Sequence, residues 1–385
     1  MPPTPAAPAE ALPLDDALIA SLVEDATLAP SLHNAQPWLF RYDPGGRTFT
    51  IRADPARELP STDPERRALH ISCAAAVLNL RVAAAHAGWQ AVTELLPDPE
   101  DPDLLAEVSL VARRPESYDE LTELYPALRR RHTSRVPFDD ERIEPSLLDV
   151  LGRAALMEGA RLAFPDAFHR RTILELSGEA LAREQEDPAH RAEIAHWIGD
   201  PAEGGVADDG IPRYALGPRR RGGAAPVRDF APDPSAARPR TPAPGDRIAD
   251  SGPPAAASDT APGGDPARAP GPDPGFVRES AVFEDSPQLA LLGTVRDHPA
   301  DWLRAGQAME RVLLEATLDG LATSVASQVL EWSDLRWAIR DPASAMGHVH
   351  MVIRLGYGPL GPLTRRRPVD DVLTVEPGGP DGPGE

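Results

Sequence analysis

Apolar positions recur at helical spacing in some windows and alternate in others, and the two periods divide the chain into elements. Asp15 or Asp16 can cap a helix that carries Leu18, Ile19, Leu22 and Val23 on one face and runs to about Leu28. Residues 40–42 and 48–52 flank Pro44-Gly45-Gly46 and predict a hairpin. Residues 65–87 are nearly all alanine, leucine and valine, too apolar for a surface helix, and predict a central one stopped by Gly88. Strands at 90–96 and 107–112 follow by alternation. Further helices are predicted at 121–131, at 145–157 with Pro145 in the first turn, at 167–186 and at 189–198, with a short strand at 161–164. A strand at 288–295, a second long helix at 299–318 ended by Gly320, and strands at 321–325 and 349–355 complete the pattern. The expected class is α+β.

Between about 199 and 275 the periodicity collapses into Pro, Gly, Ala, Asp and Arg, which cannot bury enough apolar surface to offset the entropy of ordering. Residues 209–218 and 227–230 are less random and are expected to dock; 231–275 is expected to be a loose insertion. The two long helices superimpose with an offset of 232, which carries Gly88 onto Gly320. An amphipathic helix precedes each and strands follow, so the chain reads as a duplicated unit whose copies pack as a pseudo-dimer. The expected organisation is a disordered leader over 1–13, a first half over 14–125, and a second half over 126–198 and 283–370. A lid with insertion spans 199–282, and a disordered tail 371–385.

Composition narrows the partners. The 385 residues hold 45 prolines and 30 glycines, more than a folded core needs, and 41% hydrophobic residues, enough for a sizeable one. A net charge of -21 repels nucleic acid and anionic membranes over most of the surface. All 39 cationic side chains are arginine, which reads as a GC-rich coding bias. The single cysteine, Cys73, excludes an intrachain disulfide and a cysteine metal cluster, and a reducing cytoplasm is the expected location. No uninterrupted apolar run approaches the roughly 18 residues a bilayer demands.

Candidate chemistry sits in two segments. Ala29-Pro30-Ser31-Leu32-His33-Asn34-Ala35-Gln36-Pro37-Trp38 is a turn fixed by a proline at each end, with a hydroxyl at Ser31, amides at Asn34 and Gln36, and an indole at Trp38 that can cover an aromatic plane. Arg131-His132-Thr133-Ser134-Arg135 puts two guanidiniums and a hydroxyl on one side of a turn, suited to a dianionic phosphate. The loop after the first half's amphipathic helix keeps the amides, and the segment before the second half's helix keeps the arginines. Each half retains what the other lacks.

These motifs resemble the nitroreductase superfamily, and over nearly the whole ordered chain its actinobacterial Acg family. There FMN is gripped by an R-R-S-x-R segment of one subunit and a P-S-x-x-N-x-Q-P-W loop of the other. The resemblance implies a nitroreductase-like fold in which one chain mimics the homodimer, acts as a monomer and binds one FMN. It implies FMN contacts from Arg131, Thr133, Arg135, Pro30, Ser31, Asn34 and Gln36. Ser327 and Gln328 match the loop facing the flavin N5 edge, and Arg367, with Arg365 and Arg366 as alternatives, resembles a C-terminal phosphate contact.

The chain departs from that pattern in having no lysine for the flavin's pyrimidine end and in carrying His132 where the superfamily has arginine; His132 is expected to point away. Other motifs carry less. His348 and His350 share a strand face but lack a third metal ligand, Cys73 reads as a small core residue, His70 and Ser72 show no triad logic, and Gly204-Gly205 and Gly222-Gly223 are linker. Two functions are expected from the resemblance. One is an FMN-dependent oxidoreductase taking hydride from NAD(P)H and reducing a nitroaromatic or quinone-like acceptor, its chemistry borne by the flavin with no catalytic side chain and no metal. The other is an FMN store whose lid, 209–230, blocks hydride donors. A vestigial scaffold is a third.

Overall fold

The computed structural model describes residues 12–113, 118–198, 208–230, 278–340, 344 and 346–377. The first part runs α1 (Asp16–Thr27), β1 (Trp38–Asp43), β2 (Thr48–Ala53), α2 (Arg67–His86), β3 (Trp89–Leu95), β4 (Leu104–Ala112) and α3 (Leu121–Leu128). Next come α4 (Pro145–Met157), β5 (Arg161–Ala163), α5 (Ala167–Glu186), α6 (Pro188–His196), β6 (Arg219–Gly222) and β7 (Ser280–Val282). The chain closes with β8 (Gln288–Thr294), α7 (Pro299–Leu318), β9 (Ala322–Val325), α8 (Ser333–Ala338), β10 (His348–Gly356), α9 (Val369–Val372) and β11 (Leu373–Val375). The fold is α+β.

Local chemistry sets the boundaries. Asp15 caps α1, its carboxylate accepting from the Leu18 amide at 2.8 Å. Pro145 occupies the first turn of α4. Left-handed glycines, Gly88 and Gly320, follow α2 and α7, where any other residue would be strained.

The sheets share one plan. The first has the order β11-β1-β2-β4-β3 and the second β5-β8-β10-β9. Apart from the parallel pairing of β11 with β1, all the pairings in both are antiparallel. With β11 set aside, each sheet is built from two strands before a long helix and two after it, in the spatial order first, second, fourth, third. Both long helices have 20 residues, and an offset of 232 carries Arg67–His86 onto Pro299–Leu318.

Those helices form the centre. α2 packs most extensively on α7, and the main core draws on both sheets. Alanines let the helices close in: a Cβ built on Gly306 of α7 would lie 2.3 Å from the Ile71 carbonyl oxygen and 2.7 Å from the Ala74 Cβ. α2 is long and apolar enough to cross a bilayer, but 89% of its apolar stretch is buried inside the protein.

Two expectations need correction. The leader expectation fails at Leu12, whose amide donates to the Ala87 carbonyl at 3.0 Å and whose carbonyl accepts from the Trp89 indole at 2.9 Å; 1–11 lie outside the described residues. The tail expectation fails for 371–377, because Leu373–Val375 docks on the free edge of β1; 378–385 lie outside the described residues. Within 199–282, residues 208–230 and 278–282 are ordered against the body and each other through the β6–β7 ribbon. The expected loose insertion, 231–275, and Gly204-Gly205 lie outside the described residues.

Candidate functional site

Two joined hollows share Pro30, Ser31, Thr133, Arg135 and Ile211. The larger, about 960 Å³ with the space open to solvent, is walled by α2, β9, the turn after β9 and residues 211–230. The smaller, about 430 Å³, is walled by Arg131, His132, Thr133, Asn34, Thr364 and Arg366 among others. Their sizes are those of cofactor and ligand pockets.

The 30–37 loop enters as one turn of 3-10 helix, Leu32–Asn34, and holds three non-glycine residues in the left-handed region: His33 (φ 53), Asn34 (φ 56) and Gln36 (φ 51). Each costs energy, and the surroundings over-determine them. The Ser31 hydroxyl accepts from the Gln36 amide at 3.0 Å. The Asn34 amide donates to the Gly210 carbonyl at 2.9 Å and accepts from Arg366 at 3.1 Å. Gln36 donates to the Asp208 carbonyl at 2.7 Å and accepts from the Arg367 amide at 2.9 Å. The loop is thereby clamped between residues 208–210 and the C-terminal arm.

The 131–135 segment runs along the edge strand β9. Thr133 bridges Thr323, and the Ser134 amide donates to the Thr323 carbonyl at 2.8 Å. Arg131 is buried, its Nε 3.2 Å from Glu310 on α7 but without a well-formed hydrogen bond. Arg366 spends its guanidinium on the Thr27, Leu28 and Ala29 carbonyls at the end of α1. Burial, then the charge of Arg131, bring it down to about 9. Arg135 donates to the Ala215 carbonyl at 3.1 Å and has no carboxylate partner among the described residues; burial, then Arg228 and Arg278, bring it down to about 10. His132 is neutral, held at about 4 by burial and then by Arg131 and Arg366. Glu310 thus faces two arginines, Arg131 and Arg366, and burial outweighs their pull and raises its carboxyl, while the donor set of the smaller hollow is cationic.

Residues 208–230 form the outer wall. Ile211, Leu216 and Phe230 pack with Ile194 of α6, while Ile211, Pro226, Val227, Arg228 and Phe230 line the larger hollow. Arg228 carries the fastening: it pairs with Glu331, lies 3.4 Å from Glu184, and directs Nη1 at the His33 Nε2, also 3.4 Å away. Burial pushes the Glu331 carboxyl up, but Arg228 and the His190 hydrogen bond outweigh it and hold it at about 2. Glu184, His190 and Glu331 lie close enough to share a metal ion, yet Arg228 is already their cation.

Of the residues read from sequence, Pro30, Ser31, Thr133 and Arg135 line both hollows, Asn34 and Arg131 the smaller, Ser327 and Gln328 the larger. The last two have engaged side chains, Ser327 donating to Glu331 at 3.0 Å and Gln328 to the Pro226 carbonyl at 3.0 Å. Gln36 and Arg367 are corrections, since neither lines a hollow: Gln36 is fully buried, and Arg367 turns away to Asp54 at 3.2 Å. Of the three arginines offered, Arg366 lines the smaller hollow. Trp38 is also a correction, a core residue of β1 rather than a cover, and His132 lines the smaller hollow instead of pointing away. His348 and His350 flank Asp297 at 3.5 and 3.9 Å, with Arg336 3.3 Å from the same carboxylate. Sequence reasoning missed His33, Arg67, Arg228 and Glu331, whose only signal was unusual charge in an apolar neighbourhood.

No family model matches the chain. Among curated proteins, Mycobacterium tuberculosis (strain ATCC 25618 / H37Rv) supplies several relatives. "Putative NAD(P)H nitroreductase Rv3131" is 30% identical over 90% of this chain and 88% of its own length. "Putative NAD(P)H nitroreductase acg" is 26% identical over 93% and 96%, and "Uncharacterized protein Rv3127" 28% identical over 91% of each. A similarity over about nine-tenths of the chain and of its relatives is one of whole architecture, and on it the chain belongs to the Acg-type nitroreductase family.

Proposed function

We propose that the protein is an FMN-dependent oxidoreductase that takes reducing equivalents from NAD(P)H and delivers them in pairs to nitroaromatic or quinone-like acceptors. The observation that carries this reading is the cationic hollow opening into a larger, mostly apolar one. Arg135 supplies a half-buried charge with no carboxylate partner among the described residues, which suits a phosphate dianion, and Arg131, Thr133 and Arg366 stand beside it. Ser31, Ser324, Ile71 and Met309 wall the larger hollow, which suits a flat heteroaromatic ring with polar edges.

Bound there, FMN would supply the hydride and electron chemistry. The chain's part is to bind, orient and exclude water. Arg131 and Arg135 fix an anion, the clamped 30–37 loop sets one wall, and residues 211–230 close the other. Arg228 and Arg67, both lining the larger hollow, are the cations nearest in kind to the lysine this family places by the pyrimidine ring.

We further propose that the chain is a duplicated unit acting as its own dimer, a monomer with one FMN, in the cytoplasm. The matching sheet orders and the offset of 232 between the long helices support the duplication. Complementary contributions support the single site: the arginines come from the second half and Ser31 and Asn34 from the first.

Anaerobic addition of NADPH to the FMN-loaded protein tests the reading. Rapid bleaching of the yellow flavin band, restored by a nitroaromatic acceptor, is expected. A bound flavin that stays yellow would instead mark a store closed by residues 211–230.

A further inference from the structure

His33 is buried, lines the larger hollow and is held in a left-handed backbone conformation (φ 53, ψ 18). Its Nε2 faces the Arg228 Nη1 at 3.4 Å, and a guanidinium can only donate. Nε2 must therefore be the bare, accepting nitrogen, and the neutral ring carries its proton on Nδ1. Burial, then the charge of Arg228, hold the imidazole neutral, its pKa at about 3. Among the described residues no acceptor is paired with Nδ1. A donor on a side chain that lines a hollow, without a protein partner, favours a ligand that accepts from it.

We propose that His33 is a specificity-determining residue, donating a hydrogen bond through Nδ1–H to an uncharged oxygen of a ligand in the larger hollow, with the lid residue Arg228 fixing the tautomer that makes this possible. The inference rests on the FMN reading of that hollow. The accepting oxygen belongs either to a carbonyl of the flavin ring or to the nitro or quinone oxygen of the electron acceptor, two sources of one chemistry. A cationic or donor-rich ligand has no use for Nδ1–H. The histidine thus selects oxygen-bearing, uncharged groups, and the neighbouring Arg228 repels cations.

His33→Ala removes the donor, and His33→Asn restores it, because the Asn Nδ2 reaches the position of the imidazole Nδ1 and asparagine tolerates the left-handed backbone. FMN affinity is measured on the apoprotein by flavin fluorescence, and nitrobenzene affinity on the oxidised FMN-loaded protein by perturbation of the flavin band. The expected result is a weakening of about three- to tenfold in one of the two affinities in His33→Ala, recovered in His33→Asn. Loss in the FMN arm assigns the flavin carbonyl, and loss in the nitrobenzene arm assigns the acceptor. Both affinities unchanged in His33→Ala, or no recovery in His33→Asn while thermal unfolding of the variant matches that of the parent, overturns the inference. A parent protein that binds no FMN would instead overturn the functional reading, so the two failures are distinct.

Discussion

Replacing Arg135 by methionine separates a residue kept for a ligand from one kept for the fold. Burial and the charges of Arg228 and Arg278 lower Arg135 from 12.5 to about 10. At roughly 1.4 kcal/mol per unit, reduced because the side chain is only half-buried, keeping it charged at neutral pH costs the unliganded fold on the order of 2 kcal/mol. Its bond to the Ala215 carbonyl returns about 1 kcal/mol. The Phe230 ring, 5.9 Å from the guanidinium carbon, returns about 0.5 kcal/mol more. Arg135→Met should therefore leave the apoprotein within about 1 kcal/mol of the parent in urea unfolding. Against FMN the ledger reverses, since one or two charge-assisted bonds to phosphate are lost, together about 3 kcal/mol or roughly a hundredfold in Kd. Fluorescence titration with FMN at fixed ionic strength reads the second quantity. A variant that binds FMN within about threefold of the parent, or that loses more than about 2 kcal/mol of apo stability, refutes the reasoning.

Three further outcomes follow from the geometry. Gly306→Ala drives a methyl group to 2.3 Å from the Ile71 carbonyl oxygen, so α2 and α7 must part, and urea unfolding should show a loss of about 2 kcal/mol or more. His132 is neutral in the fold down to about pH 4 but titrates near 6.5 when unfolded. The unfolded chain takes up the proton first as pH falls, so the parent loses stability between pH 6.5 and 4; His132→Gln lacks this loss and should gain on the parent by about 2 kcal/mol across that window in paired unfolding curves. Arg228→Met leaves Glu331 buried without its cation, a cost of about 3–5 kcal/mol that falls on residues 208–230, so limited proteolysis there and FMN release should both speed up.

Much of this was legible because strong periods and hard stops coincide. Pro145, Gly88 and Gly320 mark helix ends by backbone chemistry alone, and α4, α5 and α7 have the expected bounds. Short elements were not legible. Leu373–Val375 is a strand only because β1 offers it an edge, and the six residues of α8 are too few for a period. Arg365, Arg366 and Arg367 are adjacent in the chain, and only the packing of the arm on α1 decides that Arg366 turns inward. Gln36 has the right chemistry for a ligand, but its amide is spent on Asp208 and Arg367. Arg228 and Glu331 lie 103 residues apart, a separation at which no spacing rule speaks.

The central claim is that both halves build one flavin site per chain. Calorimetric titration of the flavin-free protein with FMN measures it directly. The account predicts a single class of site saturating at one FMN per chain; saturation at two per chain, or no binding, would contradict it.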